Sequence, residues 1–573
     1  MARSASLEMS ARANSALRTD DRDLDAAIAA LRDRAREWAR LAPRAKAELV
    51  RACIPRVLAA GDEWAATGAR ARGADPAEEW LAGVTPTVRQ LRLFADTLDA
   101  IAAAGKPPLG RRARTLPNGR LAIDVFPASG IDRASFAGFT CHCVMDEGVD
   151  RDAARRRQAA FYDVSDPDGG VSLILGAGNV SSIPPMDVLS KLVADGFVCL
   201  LKMNPVNEWV GPILERAFDP LIRRGYLRIV YGGADVGQYL VYHEEIDDIH
   251  ITGSDRTHDL IVWGPPGPER DRRQRENDPV LTIPITSELG NVSPVAIVPH
   301  AYSDEELWFQ ARNVVTMVTN NASFNCNAAK MLITSRQWPQ RDRFLDMIER
   351  GLAAVPPRKA YYPGAFDRYA RLTEGRDGVR RIGTAKDGTL PWAVIRDVPP
   401  GSDDDLFRVE PFCGILSETA LDAGEPDQFL AEATAFMNER LWGTLNAMIV
   451  IHPSHERDPT IAASLDRAIL DLRYGTVAIN HWPALGYAFG TPPWGGHQSS
   501  TLADIQSGLG WVHNTYLLDG IDKSVVRGNL VVKPHPAWFY DNTRAGAIAP
   551  AVARMEASPS WWKLPGLMWR ALV

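Results

Sequence analysis

Val171-Ser-Leu-Ile-Leu-Gly176-Ala-Gly178-Asn179 is a short, largely apolar run that stops in a glycine turn, and the next eighty residues repeat its pattern. Pro184-Pro185 open a helix, Met186 to Asp195, which Gly196 ends. Phe197-Val-Cys-Leu-Leu-Lys202 reads as a second strand, followed by a helix from Val206 to Arg224. Leu227-Arg-Ile-Val-Tyr231 reads as a third, with a Gly232-Gly233 turn and a short helix from Val236 to His243. Ile246 to Thr252 is a fourth, ending at Gly253-Ser254. Strand, turn and helix in this repetition predict a parallel sheet with right-handed crossovers, an α/β fold of Rossmann type. Such sheets bind ligands at the carboxyl ends of their strands, which gathers Asn179, Lys202, Gly233 and Gly253 at one rim.

Downstream, Gly264 to Pro279 is polar and rich in Pro and Arg, and reads as an exposed loop. Leu281 to Ile285 reads as a strand leading into Thr286-Ser287-Glu288-Leu289-Gly290-Asn291. Val295 to Val298 is another strand, and Asp304 to Thr319 a helix whose Asp304-Glu305-Glu306 start suits the helix dipole. After Asn320-Asn321-Ala322-Ser323-Phe324-Asn325-Cys326-Asn327-Ala328 come a strand, Lys330 to Thr334, and a helix, Pro339 to Val355. The alternation runs on to Ile479 and implies a second α/β domain. Upstream, apolar residues at three and four spacings from Leu24 to Ala103 predict amphipathic helices, and Leu116 to Asp146 reads as strands.

At 573 residues and 62.9 kDa the chain exceeds one hydrophobic core. The expected division is a flexible tail at 1–20, a dinucleotide-binding domain at 21–285 with its core at 171–285, a thiol domain at 286–485, and a return segment with a Trp-rich tail at 486–573. A net charge of −7 gives no argument for nucleic acid or an anionic membrane. The six cysteines lack metal spacing: Cys141-His142-Cys143 is too tight for a zinc pair and reads as strand filling, so no metal is expected. The cysteine pattern suits a reducing, cytoplasmic compartment. Residues 1–20 have no apolar segment of the secretory kind, and no run reaches transmembrane length.

A carboxylate beside a glycine, Glu288, and a lone cysteine among small and amide residues, Cys326, suggest a base and a thiol nucleophile. With an unperturbed pKa of ~8.5, a thiol needs help to ionise near neutrality, whereas a carboxylate can activate water against a thioester. Here the sequence resembles the aldehyde dehydrogenase superfamily from about Val171 to about Gly496. Glu288-Leu289-Gly290 and Ser293-Pro294 are similar to its glutamate motif, and Asn320 through Ala328 to its cysteine motif. Gly178-Asn179 resembles the loop of its oxyanion-binding asparagine, and Lys202 its ribose-contacting lysine. Gly233-Ala-Asp-Val-Gly237 and Thr252-Gly253-Ser254 resemble two cofactor glycine signatures. Glu410-Pro411-Phe412 with Gly414 resembles the segment that holds the nicotinamide ribose. Gly475-Thr-Val-Ala-Ile-Asn480 and Pro493-Trp494-Gly495-Gly496 resemble the closing segments.

The resemblance implies oxidation of an aldehyde to a carboxylic acid. Cys326 would form a thiohemiacetal and then a thioester, Asn179 would hold the oxyanion, and Glu288 would activate water. Lys202, Gly233, Gly237, Gly253, Ser254, Glu410 and Phe412 would bind NAD or NADP. Asn291 stands where the family has a second glycine, and Pro205 where an acid often meets the ribose, which leaves the choice of NAD or NADP open. His258 and Phe324-Asn325 also depart from the pattern. An acyl-CoA or acyl-thioester reductase is the first alternative, opposed by Glu288; a catalytically silent relative is the second, opposed by the intact Cys326, Glu288 and Asn179. A homodimer or homotetramer is implied by the family.

The tail contains Trp538, Phe539, Tyr540, Trp561, Trp562 and Trp569. Packing on its own domain or on a neighbouring subunit is favoured over an interfacial membrane contact, because cations are few. So aromatic a tail also suits a hydrophobic aldehyde.

Overall fold

A computed structural model describes residues 16–572, so residues 1–15 of the expected tail and Val573 lie outside the described residues. Thr19 is pinned at the sheet edge, its N–H donating to the Tyr231 carbonyl at 3.1 Å. Five parallel strands form one sheet in the order Leu227–Val230, Val198–Lys202, Val171–Leu175, Asp248–Thr252 and Ile285–Glu288. The central residues of the three inner strands are buried on both faces, as a parallel sheet covered by helices requires. The helix Asp21–Arg40 lies against this sheet and buries Leu24, Ile28, Leu31, Ala35 and Trp38, a stripe at helical spacing. The Asp20 carboxylate caps its start, accepting from the Asp23 N–H at 2.9 Å.

The second sheet has eleven strands. Seven parallel ones fill its middle, in the order Ile521–Arg527, Thr476–Ile479, Asn446–Val450, Pro294–Ile297, Met331–Ser335, Ile415–Leu421 and Trp392–Ile395. Val379–Ile382 closes one edge antiparallel. Arg112–Thr115, Leu121–Phe126 and Thr140–Met145 extend the other, also antiparallel. Chain order groups those three strands with the dinucleotide-binding part, whereas hydrogen bonding groups them with the thiol sheet. Cys141 and Cys143 are buried in the last of them.

Local departures have local causes. Residues 264–279, read as a loop, contain the helix Pro268–Glu276 with no buried residue. Proline at its start and Arg272–Glu269 and Arg273–Glu269 pairs one turn apart support it without a core. The strand expected at Leu281 to Ile285 begins only at Ile285, because Pro284 has no N–H to give the ladder. The helix expected from Val206 to Arg224 is broken into Glu208–Val210, Gly211–Ala217 and Asp219–Ile222, with a proline opening each of the last two.

The tail divides. Phe539 is buried, with Trp538 and Tyr540 packed against the large sheet's core. The helix Ala545–Ala557 packs on Thr85–Ala104, fastened by buried pairs from Arg89 to Asp132 (2.9 Å) and to Glu556 (2.8 Å). Beyond it, the helix Leu564–Leu572 buries nothing. Packing on its own domain is therefore not what Trp562 and Trp569 do.

Candidate active site

The thiol loop leaves the helix Asp304–Thr319, whose start is closed by a capping box between Ser303 and Glu306. The chain then takes three successive left-handed residues, Asn321, Ala322 and Ser323, with φ of 52°, 53° and 68°. None is glycine, so each is strained by on the order of 1 kcal/mol or more, and surrounding bonds must hold the turn. They do. The Asn321 amide donates to the Asn179 carbonyl at 2.9 Å and to Asn325 Oδ1 at 3.0 Å. Tyr361 Oη donates to Asn321 Oδ1 at 2.8 Å, and Lys330 Nζ to the Ser323 carbonyl at 2.9 Å. Ser293 Oγ donates to the Cys326 carbonyl at 2.8 Å.

Asn179 belongs to this assembly, because its Nδ2 donates to the Phe324 carbonyl at 3.0 Å, two residues before Cys326. An amide nitrogen carries two hydrogens, so one remains for a ligand. Cys326 is the one partly exposed cysteine among the described residues; the other five are buried. It packs with Leu445, Trp494, Val512 and Tyr487. Burial pushes its thiol well up, and the Glu288 and Glu410 carboxylates push in the same direction.

Glu288 ends its strand, 3% exposed. Burial, and then the Asp187 carboxylate, raise its pKa to about 8, while the Cys326 and Trp494 side chains beside it act the other way. Glu288 Oε1 has no hydrogen-bond partner among the described residues. Behind it, Asp187 Oδ2 accepts from Thr252 Oγ1 at 2.9 Å, and His250 Nδ1 lies 2.9 Å from Thr286 Oγ1. Thr252 is the direct neighbour of Glu288 across the sheet.

The carboxyl ends of the five strands form the adjoining rim. Lys202 ends Val198–Lys202; burial lowers its pKa to about 8, and Asp235 and Glu208 stand near enough to oppose that shift. Gly233 opens the helix Ala234–Val241, and a Cβ placed on Gly237 would meet nothing within 4 Å. Gly253 N–H donates to the Glu288 carbonyl at 3.1 Å, and Ser254 Oγ caps the helix Asp255–Trp263. Glu410 enters from the second sheet, its carboxylate so close to Gly290 Cα that any side chain there would collide with it. Burial raises Glu410, and the Lys330 ammonium opposes the shift. Phe412 has φ of 41°, and its ring centroid lies 4.9 Å from that of Tyr362.

The structure thus sets Cys326, Glu288, Asn179, Glu410 and Phe412 around one centre and Lys202, Gly233, Gly237, Gly253 and Ser254 along the strand ends beside it. Sequence reading passed over Lys330 and Asp187. Lys330 could have been noticed as a scarce lysine four residues past the thiol, whereas Asp187 gives no signal from its place in an apolar helix.

The family model for the aldehyde dehydrogenase family matches residues 129–356. No curated protein matches the sequence. Among solved structures, a putative aldehyde dehydrogenase from Burkholderia cenocepacia is 21% identical with a TM-score of 0.58, over 89% of this chain and 92% of that one. An aldehyde dehydrogenase from Mycobacterium tuberculosis complexed with NAD+ is 18% identical with a TM-score of 0.59, over 91% and 92%. The NADP-dependent glyceraldehyde-3-phosphate dehydrogenase from Bacillus halodurans C-125, complexed with NADP, is 16% identical with a TM-score of 0.59, over 90% and 92%. At these identities the likeness establishes the fold.

Proposed function

We propose that the chain belongs to the aldehyde dehydrogenase superfamily and that it oxidises an apolar aldehyde to the carboxylic acid through a thioester on Cys326, with NAD as the preferred cofactor. The observation that carries this reading is the buried Glu288 carboxyl beside the Cys326 thiol, its Oε1 without a partner among the described residues, together with the Asn179 amide tied to the same loop as the thiol.

The residues at the rim suit a nicotinamide dinucleotide. Open space over Gly237, a nearly buried Lys202 and an unpartnered Glu410 Oε1 all await a ligand with hydroxyl and phosphate groups. Glu208 near Lys202 supplies negative charge that Pro205 does not, while the Asp235 carboxylate there is paired with Arg18 at 3.2 Å; the Glu208 charge supports a ribose diol over a 2′-phosphate. When bound, the nicotinamide supplies the hydride acceptor.

The chain's own groups do the rest. With their pKa values raised, Cys326 and most of Glu288 hold protons at neutral pH, and the ionised fraction of Glu288 is the form placed to take the thiol proton as Cys326 adds. The thiolate adds to the carbonyl, and the free Asn179 N–H and the Cys326 backbone N–H hold the oxyanion, a donor typically worth ~10²–10³ in rate. Once Glu288 has released the thiol proton to solvent, its carboxylate takes a proton from the water that cleaves the thioester, and Cys326 leaves as the thiolate. The apolar wall of Leu445, Trp494 and Val512 around the thiol supports an apolar substrate.

The test is reduction of NAD and NADP over a short-to-long aldehyde panel, with and without coenzyme A, beside Cys326→Ala. Turnover without coenzyme A that the substitution abolishes supports the reading. A strict requirement for coenzyme A would replace it with an acylating enzyme, and no turnover on any aldehyde would overturn it.

A further inference from the structure

The outer face of the last helix is the wrong way out for a protein in water. Of the eleven large hydrophobic side chains exposed among the described residues, five fall in the short stretch from Trp561 to Leu572. Pro565, Met568, Trp569 and Leu572 occupy positions i, i+3, i+4 and i+7, and all are on the exposed side of the helix Leu564–Leu572. One turn earlier Trp562 continues the same face, 93% exposed, with Trp569 at 66%. An ordinary surface helix turns this stripe inward.

The segment is nevertheless held in place. Lys563 Nζ donates to the Ser558 carbonyl at 2.7 Å and to the Arg554 carbonyl at 3.2 Å, closing the turn onto the preceding helix. Trp561 is the hinge pin, its ring within 3.1 Å of where a Gly130 side chain would begin. Within the stretch itself the charge has one sign. Residues 557–573 contain Lys563 and Arg570 and no acid. The nearest acid in sequence, Glu556, is turned inward onto Arg89 and Arg92.

We propose that this face docks on a bilayer surface bearing anionic headgroups. Trp562, Met568, Trp569 and Leu572 would enter the headgroup boundary, and Lys563 and Arg570 on the flanks would meet lipid phosphates, the arrangement of an interfacial amphipathic helix. Nine residues rise about 13 Å, under half of a hydrocarbon core, and no helix among the described residues is long and apolar enough to cross a membrane. The segment lies on the surface. A second copy fits less well, because a two-fold contact of this face with itself would oppose Lys563 and Arg570 with no acid to pair them. The inference rests on the hairpin and stands apart from the chemistry at Cys326.

The test is co-sedimentation of the full chain with vesicles of phosphatidylglycerol in phosphatidylcholine, and of phosphatidylcholine alone, at low and high salt. Binding to the anionic vesicles is expected, weakened by salt. Trp562→Ser/Trp569→Ser should lower it at least tenfold, and Arg570→Gln roughly fivefold. Both tryptophans face solvent, so that double variant should keep its melting temperature and its dehydrogenase rate. No sedimentation with anionic vesicles overturns the proposal, as does binding that these substitutions leave unchanged. Loss of a dimer in the tryptophan variant, without vesicle binding by the parent, assigns the face to a second copy instead.

Discussion

Around Cys326 the chain buries Glu288, Asp187 and Lys330; between Trp561 and Leu572 it exposes Trp562, Met568 and Trp569. Both regions invert the usual partition of polar and apolar groups, but they are compensated differently. In the first, the chain supplies the partners: Thr252 for Asp187, Ser323 for Lys330 and Asn179 for the loop carbonyl. Among the atoms left over are the Glu288 and Glu410 oxygens that would face a ligand. In the second, nothing among the described residues covers the Trp562 and Trp569 rings. A buried polar group thus points to chemistry by its missing bond, and an exposed ring points to a partner by its missing neighbour.

Substitutions can break this contrast. The largest effect is expected from Cys326→Ala, with a fall in kcat of about 10⁴-fold or more and little change in melting temperature. Glu288→Gln should cost ~10²–10⁴ in steady-state turnover. Because the parent carboxyl must ionise to act, wild-type turnover should climb with pH through about 8. Stability runs the other way. A folded-state pKa of about 8, above an unfolded value near ~4.3, favours the folded form fully below that lower value, and the advantage is lost as pH rises to about 8. Melting of Glu288→Gln against wild type from pH 5 to 9 should show a growing relative gain for the variant, on the order of a few kcal/mol. Asn179→Ala should cost ~10²–10³ in kcat. The smallest effects sharpen the contrast by denaturant melts: Trp494→Ala should cost ~3–5 kcal/mol, and Trp562→Ala no more than ~0.5.

What sequence reading could reach followed from how local each feature is. The helix Asp304–Thr319 carries its own cap, acidic first turn and apolar stripe, and its bounds were legible. The strand at Ile285 was misplaced because Pro284 outweighs the apolar run before it. The helix Pro268–Glu276 was missed because charge pairs, not an apolar face, support it. Pairing of Thr140–Met145 with Ile521–Arg527 joins residues nearly four hundred positions apart, and no spacing in either strand announces it. The site divides in the same way. Cys326, Glu288 and Asn179 stand in recognisable stretches, while Lys330 and Asp187 gain their places from contacts made only when two sheets meet.

Glu556 sets where the chain can be shortened. Its carboxylate bridges Arg89 and Arg92 inside the protein, and with Asp132 it balances the buried guanidinium. A chain ending at Pro559 would lose the exposed rings and keep that balance, whereas one ending at Arg544 would strip the helix Ala545–Ala557 from Thr85–Ala104. Removing one partner of a buried ion pair typically costs ~3–5 kcal/mol. Expression of the two shortened chains, read by soluble yield and melting temperature, should separate a dispensable appendage from a keystone only a few residues away.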